Sequence, residues 1–186
     1  MTADVANESA TRRIPWRLIG WGGAGFLLLL PLIVNAPWSL ADFVFAGVMC
    51  GLVGAAIELV VRRGNAAFSM AVGLALGASL LSVWVTGGVG IIGSENDDAN
   101  ILYVAVVLFA LLGSIAALFR PSGMAVAMAA AAVAELLVPV AAWILWPEIR
   151  AAILMPEVPL MTVFLTGMWA VSAWLFRKAA PEIAAR

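Results

Sequence analysis

The sequence predicts an all-α fold: a polytopic transmembrane helix bundle of six spans with both termini on the cytoplasmic side. Three observations predict it. Of 186 residues, 65% are hydrophobic and 11% charged, and the mean hydropathy is +1.08; a soluble domain holds about 45–50% apolar and roughly a quarter charged residues. Six stretches carry the about 20 apolar residues that cross about 30 Å of hydrocarbon. The cationic residues then fall on one side of the bilayer if the spans number six. These facts exclude a soluble enzyme, a secreted disulfide scaffold and a nucleic-acid binder, and they make the lipid bilayer the first partner.

The spans are read in order. The first is 18–36, preceded by a polar N-terminal tail over 1–17. The second is roughly 40–61, charge-free from Phe43 to Ile57. The third begins near Ala66 and stays uncharged to Gly93. At 1.5 Å per residue that run is about 42 Å, too long for one straight span. Gly87, Gly88, Gly90 and Gly93 therefore predict a helix break near Gly87, with irregular backbone beyond it. The fourth span is 101–119, the fifth 124–146 with Glu135 inside it, and the sixth 160–176, bounded by Pro159 and Arg177. A cytoplasmic tail occupies 177–186. Tight turns are expected at 62–65 and 120–123, where Gly64-Asn65 and Pro121-Ser122-Gly123 carry turn chemistry. The connection 147–159 reads as a short amphipathic segment in the interface plane.

Charge sets the orientation. Arg12, Arg13, Arg17, Arg62, Arg63, Arg120, Arg177, Lys178 and Arg186 fall on one side and only Arg150 on the other. Asp42, Glu95, Asp97, Asp98, Glu148 and Glu157 fall on the side of Arg150. Cationic loops stay in the cytoplasm. Trp16, Trp21, Trp38, Trp143, Trp146 and Trp174 lie near span ends, as interfacial belts require; Trp84 and Trp169 lie deeper. A competing reading takes the first apolar stretch as a cleaved signal, with Val34-Asn35-Ala36 before Pro37 as the cut.

The absence of histidine removes the commonest metal ligand and general base. One cysteine, Cys50, permits neither an intramolecular disulfide nor a thiolate cluster. No nucleophile–base pair or phosphate loop is visible, so no enzyme activity, cofactor or metal is expected. The small residues Gly47, Gly51 and Gly54, Gly73 and Gly77, and the alanines from Ala125 to Ala134 suit close helix packing, within one bundle or between copies.

Candidate sites are the polar residues in apolar surroundings. Glu135 sits near the middle of span five, where a carboxylate is costly and marks a functional site by default. Pro139 lacks the N–H that would bond the Glu135 carbonyl, so a carboxyl and a freed carbonyl share one level; a structural carboxyl bonded to a neighbouring helix is the alternative. Ser79, Ser82 and Thr86 lie on one face of span three and suit interhelical bonding, or bonding back to their own helix. Glu58 and Arg62 stand four apart in the favourable order for an inner ion pair. The outer segment holds Ser94, Glu95, Asp97, Asp98 and Asn100, a binding surface or a solvated cap. Ser94 with Asp97 matches a capping box for span four, and a start one or two residues later fits equally well.

On Val89-Gly90-Ile91-Ile92-Gly93-Ser94-Glu95, Ala99-Asn100 and Tyr103, the chain resembles an uncharacterised family of small polytopic bacterial inner-membrane proteins. Trp38 with Asp42-Phe43 and Arg120-Pro121 with Gly123-Met124 extend the resemblance over roughly 38–128; Asp98 stands where such relatives often carry proline. The resemblance implies a multi-span protein of the bacterial inner membrane and supplies no activity. Two functions are therefore carried forward. One is an accessory or structural membrane protein in a homo-oligomer or larger complex. The other is a small proton- or cation-coupled transporter or channel using Glu135.

Overall fold

A computed structural model describes residues 16–33, 38–63 and 65–184. Among them all regular structure is helical. The long helices are α1 (Trp16–Ile33), α2 (Leu40–Arg63), α3 (Ala66–Gly88), α4 (Ile101–Ala116) and α5 (Pro121–Leu145). A single helical turn, α6 (Arg150–Ile153), precedes α7 (Glu157–Ala184). Helix is the expected solution, because lipid offers backbone N–H and C=O groups no partner and the helix satisfies them internally. Among the described residues four helices are long and apolar enough to cross a membrane: α3, α4 with its preceding turn, α5 and α7. The described apolar stretches of the two N-terminal helices, Trp21–Ile33 and Leu40–Ala56, are shorter. The Val34–Pro37 cleavage motif and most of the N-terminal tail lie outside the described residues.

The chain divides into two compact units, Met1–Gly54 and Ala55–Arg186. In the first, α2 begins with a complete helix-start signature. The Ser39 N–H and hydroxyl both donate to the Asp42 carboxylate, at 2.7 and 2.8 Å. Trp38 packs edge-on against Phe43, with centroids 5.2 Å apart. These are a capping box and a hydrophobic staple at one helix end. Gly54 lies directly against the indole of Trp21.

The second unit is an antiparallel bundle of α3, α4, α5 and α7. The main packing runs between neighbours: α3 meets α4 and α7, and α5 meets α4 and α7. Thus α3 and α5 hold one diagonal, α4 and α7 the other. The register of α3 on α7 is fixed by Phe68 edge-on to Phe176 at 5.3 Å and by Ser172 donating to the Ala71 carbonyl at 2.8 Å. Gly113 and Gly123 bring α4 and α5 close: a Cβ on Gly113 would stand 2.9 Å from the Ala127 Cβ.

The buried positions repeat every three or four residues. On α5 they include Met124, Met128, Ala131, Glu135, Val138 and Ala142; on α7, Val158, Thr162, Leu165, Trp169, Ser172, Phe176 and Ala179. That is the seam spacing of packed helices. The opposite faces are as apolar as the seam: Leu112, Leu136, Leu137, Ile144, Phe164 and Trp174 are all exposed. So much exposed hydrocarbon suits lipid as the surrounding medium.

Several boundaries move, for physical reasons. Pro121, Ser122 and Gly123 form the first turn of α5 rather than a loop; proline at the first helical position loses an N–H that would have no acceptor anyway. The connection is instead 117–120, where Leu118 (φ 49°) and Phe119 (φ 54°) take the left-handed conformation that closes the end of α4. The sixth apolar stretch lies in a helix that begins at Glu157, ahead of Pro159, and continues past Arg177 to Ala184, through Pro181: neither the proline nor the cations bound it. The break after α3 falls at Gly88, one residue beyond the expected position.

Candidate functional site

Glu135 occupies a seam position of α5 and is completely buried. Neither carboxylate oxygen meets a partner in hydrogen-bond geometry. Trp169, on the facing α7, brings its indole N–H towards this carboxyl, and its buried Nε1 likewise stays outside hydrogen-bond geometry. From α4, Tyr103 is buried in the same core. The Tyr103 hydroxyl meets the Thr162 hydroxyl at 2.9 Å, so it spans the α4–α7 diagonal. Both side chains are buried. Ala127, Ala131 and Ala132 of α5 are buried as well. Three helices thus bring a carboxyl, an indole N–H and two hydroxyls to one part of the core.

The span-three hydroxyls divide. Ser79 donates to its own helix at the Ala75 carbonyl, 2.8 Å away. Thr86 does the same to the Ser82 carbonyl at 2.6 Å. Ser82 itself is fully buried and its hydroxyl has no partner; the buried hydroxyl of Thr166 on α7 has none either. Pro139 lies inside α5, which continues through it to Leu145. Its ring leaves the Glu135 carbonyl without the usual backbone donor.

The outer segment is organised by Asn100. Its side-chain oxygen accepts the Ile91 and Ile92 N–H groups at 2.9 and 3.0 Å. Its amide donates to the Ile92 and Ser94 carbonyls at 3.1 and 2.7 Å. The irregular backbone beyond α3 is thereby satisfied, and Ile91 and Ile92 enter the core. Asp97 accepts the Ser94 N–H at 2.6 Å and its hydroxyl at 3.0 Å. This closes a turn ahead of the short 98–100 helix, so Ser94 is not the cap of α4 that the spacing predicts; the residue preceding α4 is Asn100. Glu95 and Asp98 point outward, exposed. The five residues expected to form one surface therefore separate into a buried brace and an exposed rim. Among the described residues no group of three or more His, Cys, Asp or Glu comes together to hold a metal.

Glu58 is half-buried on α2 and engaged in an interaction of its own; the Arg62 side chain lies outside the described residues. Of the small-residue faces, Gly77 sits against Met168, while a Cβ at Gly47, Gly51 or Gly73 would meet nothing. Three features escape the sequence reading. Asn100 is there one polar residue among several, and Trp169 an ordinary deep aromatic. Arg150, the lone cation on its side, donates to the Trp143 carbonyl at 3.1 Å and stacks on the Trp143 ring at 5.2 Å, which neutralises the end of α5. A cation near a helix C-terminus is the available signal.

Within the bundle the charges separate largely by end, with Arg150 and Glu182 as the exceptions. Arg120, Arg177 and Lys178 lie at one end, with the start of α3; the 89–98 loop and the 147–157 connection, with Glu95, Asp97, Asp98, Glu148 and Glu157, lie at the other. Comparison of the chain with family models, curated proteins and solved structures returns no match.

Proposed function

We propose that this chain is a six-span protein of the bacterial inner membrane, both termini cytoplasmic, that couples the movement of a proton or small cation to the occupancy of Glu135. One observation carries the reading: a fully buried carboxyl whose two oxygens lack hydrogen-bond partners. Burying such a group unpaired is expensive, and in a bundle otherwise free to use alanine or leucine the expense favours a working site. The excess of cations at one bundle end and of carboxylates at the other supports the orientation.

Reconstitution tests it. Purified chain in liposomes carries an ion current under an imposed pH or salt gradient, and Glu135→Gln, isosteric and unable to ionise, abolishes it. Equal flux in both proteins, or none above empty liposomes, refutes the proposal.

A second reading, an accessory subunit of a homo-oligomer or larger complex, is favoured by the open small-residue steps at Gly47, Gly51 and Gly73. Native mass spectrometry after mild extraction decides it: a stoichiometric protein partner supports the accessory role, and a lone monomer removes it.

A further inference from the structure

The buried polar groups of the bundle are distributed unevenly. Towards the acidic end, Glu135 is followed by Thr166, Tyr103, Thr162, Ser82 and Thr86. Tyr103, Thr162, Ser82 and Thr86 are buried as whole residues, and the Thr166 hydroxyl oxygen is buried although its side chain is only partly so. Towards the basic end the seam is Met124, Met128, Val72, Phe176 and Ala179. Among the described residues only two buried hydroxyls interrupt it, and each is tied to a backbone carbonyl: Ser114 to Ala110 at 2.8 Å and Ser172 to Ala71 at 2.8 Å. The polar half contrasts with this, because Ser82 and Thr166 keep their hydroxyls unpartnered and Tyr103 and Thr162 bond each other.

The charge inventory is equally uneven. Helix α3 carries no charged residue, Tyr103 is the one titratable group of α4, and α7 has none between Glu157 and Arg177. Glu135 is the only charged residue of α5. Of the groups with charge at the acidic end, Glu95, Asp97, Asp98, Glu148 and Arg150 belong to the connections outside the long helices, and Glu157 is the first residue of α7.

Resting on the transport reading above, we infer that the species exchanged at Glu135 is a proton, not a metal cation, and that it arrives from the acidic end through the hydroxyls of Tyr103 and Thr162. A hard cation takes several oxygen ligands, commonly six or more. Here a single carboxyl faces an indole N–H, which can only donate and has no lone pair for a metal. A proton needs less. An ionised carboxyl needs only donors, which an indole N–H and hydroxyls can supply; a neutral one needs in addition an acceptor for its own proton, which a hydroxyl can supply. Hydroxyls both donate and accept, so the Tyr103–Thr162 pair can take a proton on one side and release one on the other, with no net change in either. The apolar half of the seam offers no such step.

Infrared titration of the full-length protein in lipid nanodiscs tests this apart from any flux. The expected result is a carboxyl C=O band that changes with pH, is lost in Glu135→Gln and moves in Glu135→Asp. The band behaves identically in sodium, potassium and choline salts. After a pH jump, Tyr103→Phe and Thr162→Val delay its response by roughly 100-fold, the low end for loss of a positioned proton-transfer group. Ser172→Ala, in the apolar half, responds as wild type. A band midpoint displaced by sodium or potassium, or a Glu135 band that never changes with pH, overturns the proton assignment. Wild-type response rates in both Tyr103→Phe and Thr162→Val overturn the route. Liposome flux without a titrating band leaves transport standing and the inference refuted; a titrating band without flux does the reverse.

Discussion

Asn100 uses its whole hydrogen-bonding capacity on three residues of one loop: two N–H groups in, two carbonyls out. Each bond contributes about 1 kcal/mol net, and each buried group left unpaired costs about 1–3 kcal/mol. On that scale Asn100→Leu is expected to destabilise the bundle by roughly 3–5 kcal/mol, read as a lowered thermal midpoint in detergent; Asn100→Asp, which keeps the acceptor, is expected to fall between it and wild type. Gly90 offers a sharper contrast. Its φ is +82° and a Cβ would collide with the Ser94 carbonyl, so Gly90→Ala should cost about 1–3 kcal/mol. Gly73→Ala sits in a helix with nothing near the new methyl and should gain about 0.5–1 kcal/mol. Equal melting shifts for the two would refute the turn geometry.

At the scale of elements, the sequence motif Ser-x-x-Asp occurs twice and does two jobs. In Ser39–Asp42 it starts α2, supported by the Trp38–Phe43 contact. In Ser94–Asp97 the same atoms close a free-standing turn, because the next residues go on to a 3₁₀ turn before α4. Local spacing cannot separate these outcomes; the residues downstream of the motif do. The α4–α5 pair depends on Gly113 facing Ala127. Gly113→Leu should split the pair and lower stability by about 1–3 kcal/mol. Ala127→Gly in the same chain should restore part of the loss, measured as a double-mutant cycle. Additive effects in that cycle would show that the two residues do not meet.

For the whole molecule, segregation of charge predicts sidedness. In a Cys50→Ser background, a cysteine at Glu95 should react with a membrane-impermeant maleimide in intact cells. A cysteine at Ser122 should react only after the membrane is opened. Labelling of both from outside, or of neither, would refute the six-span, N-in/C-in arrangement. Glu135 is legible in the sequence because a charge inside an apolar run is conspicuous against its neighbours. Trp169 and Tyr103 are not, because an aromatic side chain is ordinary in an apolar helix, and only the fold brings them into the same core as the carboxyl.

By itself the sequence determined the helices and their approximate ends. Lipid imposes internally bonded backbone on every apolar stretch, and glycine, proline and charge mark where the stretches stop. It did not determine which face of each helix turns inward. In water a buried face is apolar and an exposed one polar, so hydrophobic periodicity shows the difference. Here Leu136 and Leu137 are exposed, while Ala131 and Glu135 on the same helix are buried. Lipid is as apolar as the core, so shape and hydrogen bonding select the inward face instead. Those are properties of facing surfaces, and they exist only once the helices have met.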